Sequence, residues 1–186
     1  MVKLYGTIIN AREFLFLLIR ESRQHAYREH TCFLPPSAPG ERRERVDIVI
    51  SDAAVGRTLV DIVVANPTHR DLVELAARHD LVAATDVEQR KETHYRDRAA
   101  GTKFVPFALE TYGALYDRSD RFLVECATLA SRESAGSGPS INLLYTWFRQ
   151  RVLIALQRSL ANAIHARTLC RMIYHRVMST RALNDL

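Results

Sequence analysis

Arg45 to Pro67 reads RVDIVISDAAVGRTLVDIVVANP, and this stretch decides the fold. Two β-branched runs, Arg45 to Ile50 and Thr58 to Val64, flank a short connection that contains Gly56, and Pro67 closes the second run. Val and Ile suit a pleated, half-buried surface and glycine suits a tight reversal, so the pattern predicts a β-hairpin. Pairing symmetric about Ala54 sets Asp47 directly opposite Asp61, with both side chains on one face of the sheet. Like charges so placed repel by roughly 0.2–1 kcal/mol when exposed, and by more when buried among valines and isoleucines. A bound cation would relieve the repulsion. A one-residue bulge would instead send the two side chains to opposite faces.

Upstream, Ile9 to Glu29 carries apolar positions at Phe14, Leu17, Leu18 and Ile19 among charged residues, which predicts a first helix. A short extended stretch, Thr31 to Leu34, follows, and then the breaker segment PPSAPGERRER. Downstream of Pro67, Leu72, Val73, Leu75, Ala76, Leu81 and Val82 turn the period helical, and a polar segment from Asp86 to Arg98 continues until Gly101. KFVPFAL, Lys103 to Leu109, predicts a further strand that tolerates Pro106 at an edge or bulge. The long crossover before it favours a parallel place beside the hairpin. Tyr112 to Arg132 predicts an amphipathic helix, and ESAGSGPS separates it from a long helical pattern running from Ile141 to about Ser179. Residues 1–133 therefore predict an α/β core, and residues 141–186 a basic helical extension packed on it or following it.

The charge is uneven along the chain. Of 26 Lys and Arg, 23 are arginines, set against 21 Asp and Glu. Ser134 to Leu186 holds seven arginines (Arg149, Arg151, Arg158, Arg167, Arg171, Arg176, Arg181) and a single acid, Asp185, while the first 133 residues are close to neutral. Such an arm suits a polyanionic partner, because guanidinium groups grip phosphate bidentately and stack on bases, although a solvated helix face has the same composition. No apolar run approaches the ~20 residues of a membrane span, and the N-terminus lacks the form of a secretory signal. Cys32, Cys126 and Cys170 fit neither a disulfide framework nor a CxxC motif. The expectation is an intracellular protein of nucleus or cytoplasm, without membrane association.

Two carboxylates aimed at one spot from adjacent strands are what a hard divalent cation needs, and a nearby lysine would stabilise the charge of a phosphoryl transition state. Asp47, Asp61 and Lys91 are the candidates, with Glu29 as a positional guess for a further acid. His25, His30, His79 and Asp80 match no usual ligand spacing and read as surface groups. Trp147 and Phe148 could stack on bases, but as apolar residues opening an amphipathic helix they are better explained by packing. No Gly-rich phosphate loop and no GxSxG elbow occurs.

Taken in order, RVDIV, GRTLVDIVVANP, RKETHY and KFVPFALETYG resemble the PD-(D/E)XK, restriction-endonuclease-like domain found at the C-terminal end of eukaryotic retrotransposon reverse-transcriptase polyproteins. The resemblance spans Arg45 to about Arg132. It implies an αβββαβ core with a mixed sheet, Mg²⁺ or Mn²⁺ as cofactor, and metal-dependent hydrolysis of DNA. Asp47 would match the metal-binding aspartate, Asp61 the acid of the (D/E)XK element, and Lys91 and Tyr95 the first and last positions of K-x-x-K-Y. Val63 stands where the in-strand lysine would be, so Lys91 would substitute from the following helix, and His94 stands at the second lysine. Arg45, Arg57, Arg149, Arg151 and Arg158 would contact nucleic-acid backbone. A nuclease of this size commonly cuts both strands with a second subunit, which makes a homodimer an expectation carried by no particular residue. The missing in-strand lysine favours the alternative, a catalytically inactive copy that binds nucleic acid or protein.

Overall fold

The β-branched runs pair as their alternation demands. The chain, seen here as a computed structural model, is described at residues 15–17, 19–20, 25–28, 33–34, 44–52, 56–96, 102–133 and 138–184. Residues 15–17 and 19–20 are helical. There follow β1 (His25–Arg28), β2 (Phe33–Leu34), β3 (Glu44–Arg45), β4 (Ile48–Asp52), β5 (Gly56–Ala65), α1 (Val73–Ala76), α2 (Val82–Tyr95), β6 (Lys103–Glu110), α3 (Asp117–Glu133) and α4 (Ile141–Asn184). The main sheet runs in the order β1-β4-β5-β6, while β2 and β3 pair with each other. β1 and β4 are antiparallel, as are β4 and β5, and β5 and β6 are parallel. The fold is a mixed sheet flanked by helices, with a long C-terminal helix.

The hairpin register places Ile48 against Val60 and Ile50 against Thr58, which is the symmetric pairing the sequence predicts. β6 lies parallel to β5 with Pro106 on the sheet edge, where its missing N–H costs no ladder bond to a further strand. Three expectations are corrected. Residues 25–28, predicted as the end of the first helix, form β1 instead, because the outer edge of β4 needs backbone partners and HAYR supplies them. The first run of the hairpin is not continuous, since a bend at Asp47 separates β3 from β4. The helix predicted from Tyr112 begins at Asp117, because the chain first folds back on β6.

Alternation along the strands separates two cores. Ile48, Ile50, Val60, Ile62, Val105, Phe107 and Leu109 face one way, and with Leu15, Ile19, Phe122, Leu123, Phe148, Val152 and Leu156 they form the main cluster under α3 and α4. Val49, Leu59 and Phe104 face the other way and meet Tyr95 of α2. Val46 joins this second face although its parity assigns it to the first, which is the packing signature of the irregularity at Asp47. Burying such side chains stabilises by roughly 1.5–3 kcal/mol each. α4 packs chiefly against α3, and Ser140 caps its start by accepting the Leu143 N–H at 3.3 Å.

The reversal after β6 is tight. The Gly113 N–H donates to the Glu110 carbonyl at 2.8 Å, the Glu110 N–H donates to the Ala114 carbonyl at 2.8 Å, and Leu109 bridges back to Leu115. Gly113 has φ +97°, and a β-carbon there would meet Leu153 Cδ2 of α4 at 3.4 Å, an ordinary contact. The requirement for glycine is therefore conformational rather than steric. Gly113→Ala is expected to lower stability in a urea melt by about 1–2 kcal/mol, the cost of holding an L-residue in the left-handed region. An unchanged midpoint would mean that the turn relaxes to negative φ.

Candidate active site

Asp61 sits in the middle of β5, on the face of Leu59 that α2 covers, and is only 5% exposed. Residues 84, 88, 91 and 95 of α2 share one helical face by their spacing, and Ala84, Glu88 and Tyr95 on it are buried. Lys91 thereby reaches the sheet. Its Nζ lies 2.6 Å from Asp61 Oδ2, an ion-pair contact that is not aligned as a hydrogen bond. The Lys91 side chain is one-third exposed, and its ammonium also lies 5.3 Å from the centroid of the Tyr95 ring. Val63 borders a surface pocket of about 390 Å³ together with Val87, Arg90, Lys91, His94 and Tyr95.

Asp47 arrives by a different route. Its carboxylate leaves the alternation of the ladder, and Oδ2 accepts the backbone N–H of Ile62 at 2.8 Å. The bend at Asp47 thus brings its carboxylate to the β5 backbone at the residue that follows Asp61. Asp61 meets an ammonium at 2.6 Å and Asp47 a peptide N–H at 2.8 Å. Among the described residues, no group of three or more His, Cys, Asp or Glu side chains is placed to hold a metal ion.

The predicted nucleic-acid contacts are scattered. Arg57 is exposed near the start of β5, and Arg45 belongs to β3. Arg149, Arg151 and Arg158 lie on α4, whose packing is on the opposite side of the sheet from α2, so the structure does not bring them together with Asp61 and Lys91. Arg149 Nη1 donates to the Tyr145 hydroxyl at 3.1 Å, and that hydroxyl donates to Asp120 Oδ2 at 2.7 Å. Burial, and then the bond to Asp120, push the Tyr145 hydroxyl above its ordinary pKa, which keeps this donor protonated. The Arg151 guanidinium stacks 4.3 Å from the centroid of Trp147. Glu29 lies outside the described residues, as does His30. Phe148 is buried in the main core, as the packing explanation requires, while Trp147 is 40% exposed.

Two groups were not singled out from the sequence. Glu110, 7% exposed at the end of β6, accepts the N–H groups of Ala83 and Ala84 through Oε1 at 3.1 and 3.3 Å. It caps α2 from 26 and 27 residues away, because the residue at the usual capping position is Leu81, which has no side-chain acceptor. Arg118, at the start of α3, reaches Glu88 at 3.2 Å and Glu92 at 2.5 Å, tying α3 to α2. The local signal for the first was a helix start with no capping residue of its own. A pocket of about 530 Å³ lies beside Glu110 at the C-terminal ends of β5 and β6 and includes His79, Asp80 and Arg149. The chemistry of Asp61 and Lys91, rather than pocket size, locates the candidate site, since a buried acid with an imported cation is the arrangement that phosphoryl chemistry can use. No model of a known protein family matches the chain, and no curated protein is significantly similar to it.

Proposed function

We propose that the chain is an endonuclease-like domain of the PD-(D/E)XK type, derived from a retroelement, that hydrolyses phosphodiester bonds in DNA with a divalent metal. The observation that carries this reading is the Lys91 ammonium 2.6 Å from buried Asp61, delivered by a helix to the strand where the in-strand position holds valine. The element order supports an αβββαβ core: helical residues, β1, β4, β5, α2 and β6, with only β5 and β6 parallel.

The donor set fits Mg²⁺ or Mn²⁺. Asp47 and Asp61 present carboxylates at one level of β5, and ionised carboxylate oxygens accept several contacts each, so their present partners do not preclude ligation. Bound there, the metal would polarise a phosphoryl oxygen and lower the pKa of an attacking water. Lys91, one-third exposed, would turn part of its charge from Asp61 to the phosphate and stabilise the developing negative charge. Arg57 and Arg45 would contact flanking phosphates.

One observation favours a second reading, an inactive copy of the fold that binds nucleic acid or protein. Asp61 already meets the Lys91 ammonium and Asp47 already holds the Ile62 N–H, so both carboxylates have partners within the protein. The test is a cleavage assay on duplex, single-stranded and branched DNA with Mg²⁺ or Mn²⁺, run beside the Asp47→Asn, Asp61→Asn double variant. The nuclease reading expects cutting that a chelator stops and that the variant lacks. Intact DNA in every lane, from protein shown to be folded by circular dichroism, selects the inactive module.

A further inference from the structure

α4 is apolar on two opposite faces, and packing among the described residues accounts for one of them. At 100° per residue, Phe148, Val152, Leu156 and Ser159 form the stripe that is buried against the rest of the protein. Leu143, Trp147, Ile154, Ala161 and Met172 project on the other side within about 40° of one another, with Ile164 beside them. Leu143, Ile154, Ile164 and Met172 are 61%, 51%, 66% and 63% exposed. Nearly every described side chain from Ala161 to Met172 is exposed, so the distal part of the helix runs beyond the core with its apolar residues in water. Isolated helical segments in water are marginal, and most helical stability in proteins comes from packing.

Charge narrows the choice of what covers this face. Ile141 to Asn184 contains seven arginines and no Asp or Glu. Arg151 and Arg158 flank the exposed stripe on one side and Arg171 on the other. A second copy of the helix would bring together two arginine-rich helices that have no acid of their own to pair with. DNA would take up the arginines but leaves the isoleucines, leucine and methionine unexplained. A bilayer surface needs a broad apolar face, whereas Gln150, Ala161 and Thr168 interrupt this one and leave about one large apolar residue per turn or two. A narrow, interrupted seam of Leu143, Trp147, Ile154, Ile164 and Met172, rimmed by one sign of charge, is the complement of a single amphipathic helix rimmed by the other.

We propose that the exposed face of α4 from Leu143 to Met172 is a docking seam for an acidic amphipathic helix of a partner protein. The apolar stripes of the two helices interdigitate, and partner carboxylates pair with Arg151, Arg158 and Arg171. The inference is independent of the nuclease reading, because the seam and the Asp61–Lys91 pair lie on opposite sides of the sheet.

Trp147 is the sole tryptophan of the chain and sits on the seam, so its fluorescence reports docking directly. The probe is a synthetic 28-residue helix with Leu and Ile at heptad positions a and d and Glu at e and g, titrated into the full chain. The expected result is a saturable blue shift of Trp147 emission. It should weaken at least tenfold in the Ile154→Gln, Ile164→Gln double variant, whose exposed sites spare the core, and be absent with Lys at e and g. Equal binding by the double variant overturns the proposal, as does equal binding of polyglutamate without apolar positions. A blue shift produced by phosphatidylserine vesicles and not by the acidic helix assigns the face to a membrane and also overturns it. A dimer in sedimentation that the double variant abolishes would assign the seam to a second copy instead.

Discussion

Lys91→Met is expected to lower folding stability by about 2–4 kcal/mol and to remove any DNA cleavage. The first effect follows from burial: Asp61 is 5% exposed, and the substitution removes an ammonium that lies 2.6 Å from a carboxylate largely shielded from water. Breaking a fully buried pair costs roughly 3–5 kcal/mol, and the one-third exposure of Lys91 moves the figure toward the lower end. Replacing both members, as in Asp61→Leu with Lys91→Met, should restore most of the loss, because well-packed apolar groups often stand in for a buried ion pair at little cost. Urea melts of the two single variants and the double give the coupling energy directly. Additive single effects would mean that the 2.6 Å contact contributes nothing. Cleavage separates the structural role from the chemical one: the double variant should be stable and inactive, whereas recovery of cutting with stability would show that the pair serves only the fold.

Glu110→Ala should cost about 2–3 kcal/mol, and Glu110→Gln about 1 kcal/mol. The alanine leaves the Ala83 and Ala84 N–H groups buried without an acceptor and removes a negative charge from the positive end of α2. Glutamine keeps an acceptor oxygen but loses the charge-assisted part of both bonds. The first turn of α2 reports the change locally. In hydrogen exchange, the amides of Ala83 and Ala84 should lose protection in the alanine variant before those in the middle of β5 do. Uniform loss across the sheet would show that Glu110 acts through the pocket it borders rather than through the helix.

Much of the architecture was legible because alternation is a strong constraint. Shifting the hairpin by one residue would turn Ile48, Ile50, Val60 and Ile62 away from the main core, so the register is fixed by their burial alone. β6 was legible for the same reason, and α4 from its period and its preceding break. β1 was not, since nothing between Arg20 and His25 breaks a helix, and its strand conformation is imposed by the open edge of β4. The bend at Asp47 also escaped, because it carries no glycine or proline. It arises from a tertiary competition in which the Asp47 side chain takes the Ile62 N–H. Of the site, Asp61 and Lys91 were legible as candidates but their contact was not, as thirty residues separate them and the helix face that joins them becomes visible only once α2 is docked. The arginines of α4 were legible as charge but not as position, and position sets them on the other side of the sheet from Asp61 and Lys91.

The remote cap on α2 also sets an order of events during synthesis. At roughly 5–20 residues per second, Glu110 is added one to five seconds after the residues whose amides it satisfies. Throughout that interval α2 lacks its acceptor, and β5 lacks the parallel neighbour that will close the sheet. Until the FALE segment arrives, the first turn of α2 and the outer edge of β5 lack the acceptor and the strand that complete them in the folded protein, and Lys91 has neither to hold its helix against Asp61.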